Sequence, residues 1–380
     1  MRILHISDLH LGRQFFGLSL EADHQSILDQ VMTAMLVHMP DVLIIAGDLF
    51  DRASPPASAV KQFNTFLSRV TTETKAAVVM IAGNHDSGDR VGAWAVTSDS
   101  ERFLVRGPLL ADEEPLVLRD AHGSVAISAL PFGYEYAARE CFGDETFSNP
   151  EAVLRAQLAA ARARVPVGAR WVVVAHAFVS GAKPSESERP LVRVGSLETV
   201  GAEAFDGAHY VALGHLHRPQ EVGRPSIRYS GAPLAFGFDE EGSEKSMTLL
   251  EMDGSGAVEI QTLPLIPLRK VRVVTNSLAD LLLMQASNDF IRVVLTDKTT
   301  QIDPMRQVRD IFPNACQLVY ARDEQAAAQT TALSFDVKIA DPFETTANFV
   351  AQVRGESLSE GEAGLVRCKL GELTHEEASA

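Results

Sequence analysis

The sequence is short of positive charge. Lys and Arg total 34 against 50 Asp and Glu, which gives a formal net charge of −16. This deficit argues against a protein that holds DNA through its own positive surface. The objection is weaker for a catalytic subunit whose partner supplies much of the DNA binding, because bound divalent cations can be the largest charges in a cleft.

Cysteines are scarce, and long apolar stretches are absent. Cys141, Cys316 and Cys368 lie far apart in sequence, which excludes a disulfide framework or a zinc-finger spacing and predicts free thiols in a reducing compartment. The N-terminal stretch MRILHISDLH carries charge and lacks the apolar core of a signal peptide. No apolar run approaches the roughly 18 residues of a membrane span. The sequence therefore predicts a cytoplasmic protein that does not enter a membrane.

Apolar strand-like runs alternate with amphipathic helical segments over most of the chain. The 380 residues are 46% hydrophobic, which suits a soluble protein with one large domain and a smaller one. The alternation predicts an α/β layered domain over residues 1–265. Residues 253–256 read as a hairpin turn, and 263–268 read as a linker. A small α+β domain, with strands around one helix, is expected up to residue 340.

An acidic tail is predicted over residues 341–380. A short amphipathic helix is expected in its middle, with Phe343, Phe349 and Val353 on its apolar face. The last residues are expected to be disordered.

Five apolar strands are each followed by side chains of the kinds that bind metals. A small residue comes before the metal-binding type in each case, which lets the backbone turn sharply. Sites in α/β sheets form beyond the carboxyl ends of the strands, so the five ends point to one place. In chain order, the five groups are Asp8 with His10, Asp48, Asn84 with His85 and Asp86, His176, and His215 with His217.

The spacing within these groups favours a shared centre. Asp8 and His10 are two residues apart, as are His215 and His217, and such pairs point to the same side of an extended backbone. Carboxylate, imidazole and amide oxygen suit manganese, iron or zinc better than calcium. Two cations about 3.5–4 Å apart need a bridging carboxylate, for which Asp48 is the natural residue.

Each group alone is a weak signal. A Gly-Asp pair after a strand is usually a turn or a helix cap, and a single histidine beside a core is usually structural. The order of all five groups at strand ends is a strong signal. The other histidines are expected to be structural or to face solvent, namely His5, His24, His38, His122, His209 and His375.

The same five groups, read as D-x-H, GD, GNH[D/E], H and GHxH, resemble the calcineurin-like metallophosphoesterase superfamily. Within it, the sequence is similar to the bacterial nuclease subunits of the SbcD family. The similarity rests on SDLHLG at 7–12, GDLFDRASPP at 47–56, GNHDS at 83–87, ALGHLHRPQ at 212–220 and YSGAP at 229–233. It covers residues 1–265 and beyond them rests on layout only. It implies a four-layer α/β/β/α sandwich, a small capping domain and a tail that docks on an ATPase partner.

The resemblance also implies a role for each residue. His85 is implied as the catalytic histidine, with Asp86 to orient it and raise its basicity. One divalent ion would be held by Asp8, His10, Asp48 and His217, and the other by Asp48, Asn84, His176 and His215. Asp51 stands where archaeal and eukaryotic relatives often have a second histidine. Arg52 either contacts a substrate phosphate or pairs with Asp51 or another acidic neighbour.

The implied function is that of a manganese-dependent DNA nuclease. It would act as a double-strand exonuclease and a single-strand or hairpin endonuclease, with an SMC-like ATPase of the SbcC type, in repair, recombination and replication. A homodimer is implied through the helix at 60–67 and the segment after Asp86. The apolar spacing of Val60, Phe63, Phe66 and Leu67 fits that interface, but it fits a helix that covers the sheet equally well.

Two other functions remain open from the sequence. A phosphatase or cyclic-nucleotide phosphodiesterase is suggested by GDLFDR, which is similar to the GD-x-x-DR of protein phosphatases. GNHD in place of GNHE, the long SPP loop and the domain after residue 265 argue against it. A scaffold that has lost its chemistry is the third possibility, and the complete set of metal-binding residues argues against that.

Overall fold

The computed structural model describes residues 1–97, 101–188, 192–193, 196–197 and 199–324, and in the tail 343, 346–347, 350–351, 354, 356–366 and 369. The first elements are β1 (Arg2–Ile6), β2 (Gln14–Phe15), β3 (Leu18–Ser19), α1 (Glu21–His38), β4 (Val42–Ala46), α2 (Ala57–Glu73), β5 (Ala77–Ile81), α3 (Gly88–Thr97), β6 (Phe103–Arg106), β7 (Leu116–Asp120), β8 (Gly123–Leu130), α4 (Glu135–Phe142), α5 (Pro150–Arg164) and β9 (Arg170–His176).

Between residues 192 and 320, the described part of the chain continues through ten further strands, two helices and two 3-10 turns. The 3-10 turns are Ala202–Phe205 and Phe238–Glu240. The other elements are β10 (Val192–Arg193), β11 (Ser196–Leu197), β12 (Tyr210–Gly214), β13 (Gln220–Val222), β14 (Arg224–Tyr229), β15 (Lys245–Met252), β16 (Val258–Leu265), β17 (Val271–Asn276), α6 (Leu278–Leu281), β18 (Phe290–Leu295), α7 (Pro304–Ile311) and β19 (Ala315–Tyr320).

Two six-stranded sheets form the first compact unit, which comprises residues 1–274, 285–292 and 309–316. Their strand orders are β16-β15-β1-β4-β5-β6 and β13-β14-β12-β9-β8-β7. The central strands of both are parallel, with Leu4 opposite Leu43 in the first sheet and Ala212 opposite Val174 in the second. Parallel strands place their carboxyl ends at one edge of a sheet, so both sheets can present side chains there.

Three apolar layers lie on and between the sheets, as expected for strands that are buried on both faces. Alternate residues of one strand face opposite ways. Ile44 of β4 therefore packs with Val172 of β9 between the sheets, while its neighbour Leu43 packs with Phe63 of α2 on the outer face. On the far side, Leu158 of α5 covers the second sheet. The order helix, sheet, sheet, helix confirms the predicted four-layer α/β/β/α sandwich.

A buried histidine links the two sheets. His5 of β1 contacts the Tyr210 hydroxyl through Nδ1 at 3.0 Å and the Leu213 carbonyl through Nε2 at 3.2 Å. A carbonyl can only accept, so Nε2 carries the proton and Nδ1 accepts from the tyrosine hydroxyl. Burial lowers the pKa of His5 to about 3. The neutral ring therefore serves as a structural cross-link, as expected for a histidine outside the five groups.

Helix boundaries follow local chemistry. Asn149 caps α5 by accepting the Ala152 amide at 2.8 Å, and Pro150 fills the first helical position, where no amide is needed. Helix α1 ends at Met39, whose φ of 47° is left-handed. The predicted hairpin turn at 253–256 is confirmed between β15 and β16.

The linker predicted at 263–268 is wrong over its first half. Leu263, Pro264 and Leu265 end β16, and both leucines are buried in the core. The two prolines suggested a break, but a proline is tolerated here because β16 is an edge strand of its sheet. Because Phe63, Phe66 and Leu67 lie in the core under α2, they cover the sheet.

The second compact unit comprises residues 275–284, 293–308 and 317–380. Residues 271–320 contain the three-stranded sheet of β17, β18 and β19 with the helices α6 and α7, where the sequence predicted strands around one helix. In the tail, Ser359 and Glu362 exchange backbone and side-chain hydrogen bonds in a capping box at the start of a helical stretch, 360–366. Phe349, Val353, Cys368 and the last residues lie outside the described residues. No helix in the described parts is long and apolar enough to cross a membrane.

Candidate metal centre

The five sequence groups meet at one edge of the sandwich. Asp8, Asp48 and Asn84 follow strands of the first sheet, and His176 and His215 come from the ends of β9 and β12 in the second. Asn84 is half-buried and the other predicted ligands are buried. The structure therefore brings together every residue that the sequence singled out, namely Asp8, His10, Asp48, Asn84, His85, Asp86, His176, His215 and His217.

The backbone is strained where these side chains leave the strands. Asp8, His10, Asp48 and His215 have φ values of 53°, 45°, 50° and 105°, a region that residues with a Cβ rarely adopt. Such conformations cost on the order of 1–3 kcal/mol each and persist when the surrounding structure enforces them. Here the Asp8 amide donates to the Gly47 carbonyl and the His10 amide to the Asp48 carbonyl, both at 3.0 Å, so neighbouring strand ends hold each other.

Three glycines let the strand ends approach each other. A methyl group on Gly47 would lie 2.3 Å from Nδ1 of His176, and one on Gly83 would lie 2.2 Å from Oδ1 of Asp48. A methyl group on Gly214 would lie 1.9 Å from the Ala46 carbonyl. The small residues that the sequence shows before the ligands thus serve close packing between strands, and at Gly47, with φ of 89°, a turn as well.

One cluster of donor atoms is formed by Asp8, His10 and His217. The Nε2 atoms of the two histidines are 3.2 Å apart, and ligand atoms of all three residues lie within 4.8 Å of one another. Oδ1 of Asp8 accepts the His215 amide at 2.9 Å. Oδ2 of Asp8 is buried and has no hydrogen-bond partner among the described residues. A buried carboxylate oxygen without a donor needs a cation or a proton.

The second cluster is centred on Asn84. Its Oδ1 lies 3.0 Å from Nε2 of His176 and 3.1 Å from Nδ1 of His215. Oδ2 of Asp48 lies 3.6 Å from Nε2 of His176 and also 3.6 Å from Nε2 of His10 in the first cluster. One carboxylate oxygen is therefore equally distant from both clusters, as a bridging ligand requires.

These donor atoms suit two divalent cations. Donors at right angles around a cation about 2.1 Å away are about 3 Å apart, which is the spacing in both clusters. Asp8, His10 and His217 would hold one ion, Asn84, His176 and His215 the other, and Asp48 both. When bound, such cations supply Lewis acidity and acidify a water molecule.

Burial sets the protonation of the site in the direction that metal binding needs. It lowers the pKa of His215 to about 4 and holds the pKa values of His10, His176 and His217 well below the usual range, so these imidazoles are neutral. Burial raises the pKa of Asp8 to about 8. Neutral imidazole is the form that binds metals, and two cations would offset the cost of burying the carboxylates.

His85 and Asp86 each contact the backbone of the loop that follows Asp48. Nδ1 of His85 lies 2.9 Å from the Asp51 carbonyl. The Asp86 carboxylate accepts backbone amides from Gly83, Leu49 and Phe50 at 2.9–3.0 Å. Asp86 therefore holds the Asp48 loop against the Asn84 loop, and its predicted effect on His85 stays a prediction.

Residues 1–219 match the family described as calcineurin-like phosphoesterase. The chain belongs to the calcineurin-like phosphoesterase family. Residues 267–354 match a second family, SbcD_C, described as the type 5 capsule protein repressor C-terminal domain. The SbcD subunit of the nuclease SbcCD from Staphylococcus epidermidis is 29% identical over 322 residues, which cover 84% of this chain and 85% of that protein.

Among solved structures, one described as "GAP50 the anchor in the inner membrane complex of Plasmodium" covers 84% of this chain and 96% of its own at 10% identity. Its TM-score of 0.37 is too low to support any inference about this phosphoesterase.

A series of hydrogen-bonded polar side chains lies behind His217, and the sequence of this phosphoesterase did not predict it. Nδ1 of His217 lies 2.7 Å from the Ser187 hydroxyl, which donates to the Glu240 carboxylate at 2.9 Å. The buried ammonium of Lys245 pairs with Glu240 and donates to the His217 carbonyl at 3.0 Å. Because Glu240 can only accept, Ser187 must accept from Nδ1 of His217, which leaves Nε2 without a proton and free to bind a cation.

Arg13 is a second residue that the sequence reading missed. Its guanidinium stacks 4.5 Å above the Phe236 ring, which also packs against His10, and it pairs with Asp51 at 3.4 Å. Asp51 is therefore paired with Arg13. Arg52 is exposed and has no ion pair within the described part of the chain. Arg13 directly follows SDLHLG, so its position could have drawn attention, whereas nothing in the sequence marks Ser187 or Lys245.

Proposed function

We propose that this phosphoesterase is a manganese-dependent DNA nuclease of the SbcD type. It would cleave duplex ends as an exonuclease and single strands or hairpins as an endonuclease, in the cytoplasm, during repair, recombination and replication. The observation that carries the proposal is the Asp48 carboxylate oxygen, placed 3.6 Å from a histidine of each cluster. Paired cations bridged in this way favour in-line displacement at phosphorus. The Staphylococcus epidermidis relative supports DNA as the substrate.

The residues of the site would have separate roles in binding the substrate and in transferring a proton. The two clusters position the phosphodiester. Nδ1 of His85 donates to the Asp51 carbonyl, so the ring would have to carry a second proton, on Nε2, to give one to the departing oxygen. Phe236 packs against His10 and His217 and keeps that side of the centre apolar. Exposed Arg52 is available to contact a substrate phosphate.

Digestion of an end-labelled linear duplex, with manganese and with EDTA, tests the proposal. His85→Gln replaces the ring with an amide that can hydrogen-bond but cannot shuttle a proton, so we expect DNA cleavage to fall while manganese still binds. Bis-p-nitrophenyl phosphate serves as a generic ester. Hydrolysis of the ester with intact DNA, even after an SbcC-type ATPase is added, would assign the site to a small-substrate phosphodiesterase, which the net charge of −16 would favour.

The SMC-like ATPase partner is proposed to bind the tail. Described tail residues at 343, 346–347, 350–351 and 354 are helical, with Phe343 half-buried. Deletion of 341–380 should abolish co-purification with the ATPase and leave hydrolysis of the generic ester intact. Unchanged co-purification would place the partner elsewhere.

A homodimer is also part of the proposal. The apolar face of α2 is used inside the core, so the dimer would have to use its outer face, where Lys61, Thr65 and Ser68 are exposed, together with α3. Light scattering on the purified chain should give twice the 41.1 kDa monomer mass. A monomer at micromolar concentration would reject it.

A further inference from the structure

A loop at the metal centre carries a row of aromatic side chains. The loop 131–134 follows β8 and is held from two sides. The Phe132 amide donates to the Ala82 carbonyl at 2.9 Å, two residues before Asn84. Gln157 of α5 donates through Nε2 to the Pro131 carbonyl at 3.0 Å. The loop therefore has a fixed position beside the second cluster of donor atoms.

The rings continue from the centre to the surface. Phe132 lies edge-on to His176 with ring centroids 6.3 Å apart, and Tyr134 lies edge-on to Phe132 at 4.9 Å. Tyr136 stacks on Tyr134 at 5.5 Å with an interplanar angle of 11°. Each ring contacts the next, so an aromatic path runs from a predicted metal ligand outward.

The outer end of this path is open to solvent. Tyr134 is 41% exposed and Tyr136 is 68% exposed, while Phe132 is partly buried. Two tyrosine rings stacked on each other outside the core bury little area, so the fold gains little from them. Large exposed aromatic surface beside an active site is typical of a binding surface.

Charge identifies the ligand that fits this surface. A chain with a net charge of −16 gains little from attraction to phosphates. Stacking on an aromatic ring needs no positive charge and accepts any base, because every base has a π-face. A base offers that face only when it has left the duplex stack.

We propose that Tyr136 and Tyr134 form a stacking platform for an unpaired nucleobase of the DNA strand whose phosphodiester lies at the metal centre. The proposal rests on the proposed nuclease function and refines its substrate. Single strands, hairpin loops and frayed ends present such bases and are bound at the platform. The interior of a duplex does not, and it must open before it binds there.

The test compares two single-stranded substrates of equal length in manganese, an oligodeoxyadenylate and a strand of abasic residues. Tyr136→Ala should raise KM for the oligodeoxyadenylate by about 5-fold to 100-fold, the range of one lost base–aromatic stack. KM for the abasic strand should not change, because it has no base to lose. Tyr136→Phe should keep the wild-type KM, since it retains the ring.

Bis-p-nitrophenyl phosphate separates failure of the platform from failure of the nuclease function. Tyr136 is exposed, so Tyr136→Ala should hydrolyse this ester at the wild-type rate. An unchanged KM for the oligodeoxyadenylate, or an equal rise for both strands, overturns the platform. An unchanged KM with weaker co-purification of the ATPase overturns it as well and assigns the tyrosines to a protein interface. Failure of the proposed nuclease function would instead appear in the wild type, as ester hydrolysis without cleavage of either strand.

Discussion

The two sheets of the sandwich supply different halves of the metal centre. The first sheet brings both carboxylates, Asp8 and Asp48, with His10 and Asn84. The second brings imidazoles, from β9 and from the segment after β12. Three of the four strained ligand residues belong to the first sheet, whereas His176 is still part of its strand. The negative charge that attracts cations thus comes from one layer and the neutral donors come from both, so neither layer alone completes either cluster.

The largest effect is expected at the residue that joins the halves. Asp48→Asn removes the charge that both clusters share, so hydrolysis of bis-p-nitrophenyl phosphate should fall by about 10³-fold or more, since a bridged cation pair contributes several kcal/mol. Manganese bound per chain, measured by atomic emission after gel filtration, should fall as well. Asp144→Asn, in an exposed loop, is the matched control. A variant with full manganese content and activity would show that Asp48 is not a bridge.

The next largest effect is expected from a substitution at Gly214, where the two sheets are in close contact. Gly214→Ala would place a methyl group 1.9 Å from the Ala46 carbonyl of the facing sheet, so the strands must separate. We expect the free energy of unfolding to fall by about 1–3 kcal/mol in urea titrations, with weaker manganese binding. Gly364→Ala, in the tail where the added methyl group meets nothing within 4 Å, should leave both unchanged. Equal stability of the two variants would mean that the sheets are not in close contact at Gly214.

A smaller effect is expected from a change at Ser187, which orients the candidate ligand His217. Ser187→Ala breaks the chain from Glu240 to Nδ1 of His217, and losses of this kind lower metal affinity about 10-fold to 100-fold. Isothermal titration with manganese measures the change. Ser187→Thr should restore affinity because it keeps the hydroxyl, whereas Ser180→Ala, on the surface, should have no effect. No recovery in the threonine variant would point to packing rather than to the hydrogen bond.

The effect that is smallest near neutral pH concerns the cross-link between the sheets, and it grows as the pH falls. His5 has its pKa lowered to about 3 in the folded protein, against about 6.5 when unfolded. Between these values the unfolded chain binds a proton that the folded chain excludes. The stability contributed by the neutral, buried His5 is thus complete above about pH 6.5. It declines by about 1.4 kcal/mol per pH unit as the pH falls toward 3.

Urea titrations of His5→Asn between pH 6.5 and 4.5 test this. The variant should lose stability less steeply than wild type over that range. Tyr210→Phe removes the hydrogen bond to Nδ1 but keeps the buried ring, so it should be less stable at every pH and retain the wild-type slope. An identical slope in His5→Asn would contradict the assigned burial of His5.

The sequence predicted the layers and the residues that meet at one edge of the sandwich, because both leave a periodic or local trace. Val42–Ala46 is apolar throughout, as a strand buried on both faces must be, and Asp48 follows it directly. Ser187, Glu240 and Lys245 could not be predicted. Ser187 lies in a loop, Glu240 in a 3-10 turn and Lys245 at the start of β15, so they come together only in the tertiary structure. The contacts of Asp86 with backbone amides could not be predicted for a related reason, because backbone amides are the same in every sequence.

The core between the sheets has a second use as a spacer. Each cluster draws its candidate ligands from both sheets, so the distance between donor atoms on opposite sheets depends on the thickness of an apolar layer that includes Ala46, Val172 and Ala212. Enlarging one of these side chains would change the spacing of the donor atoms without touching any of them. In this protein a substitution in the hydrophobic core between the sheets can therefore lower activity as an active-site mutation does. Catalysis thus limits which side chains this part of the core can accept.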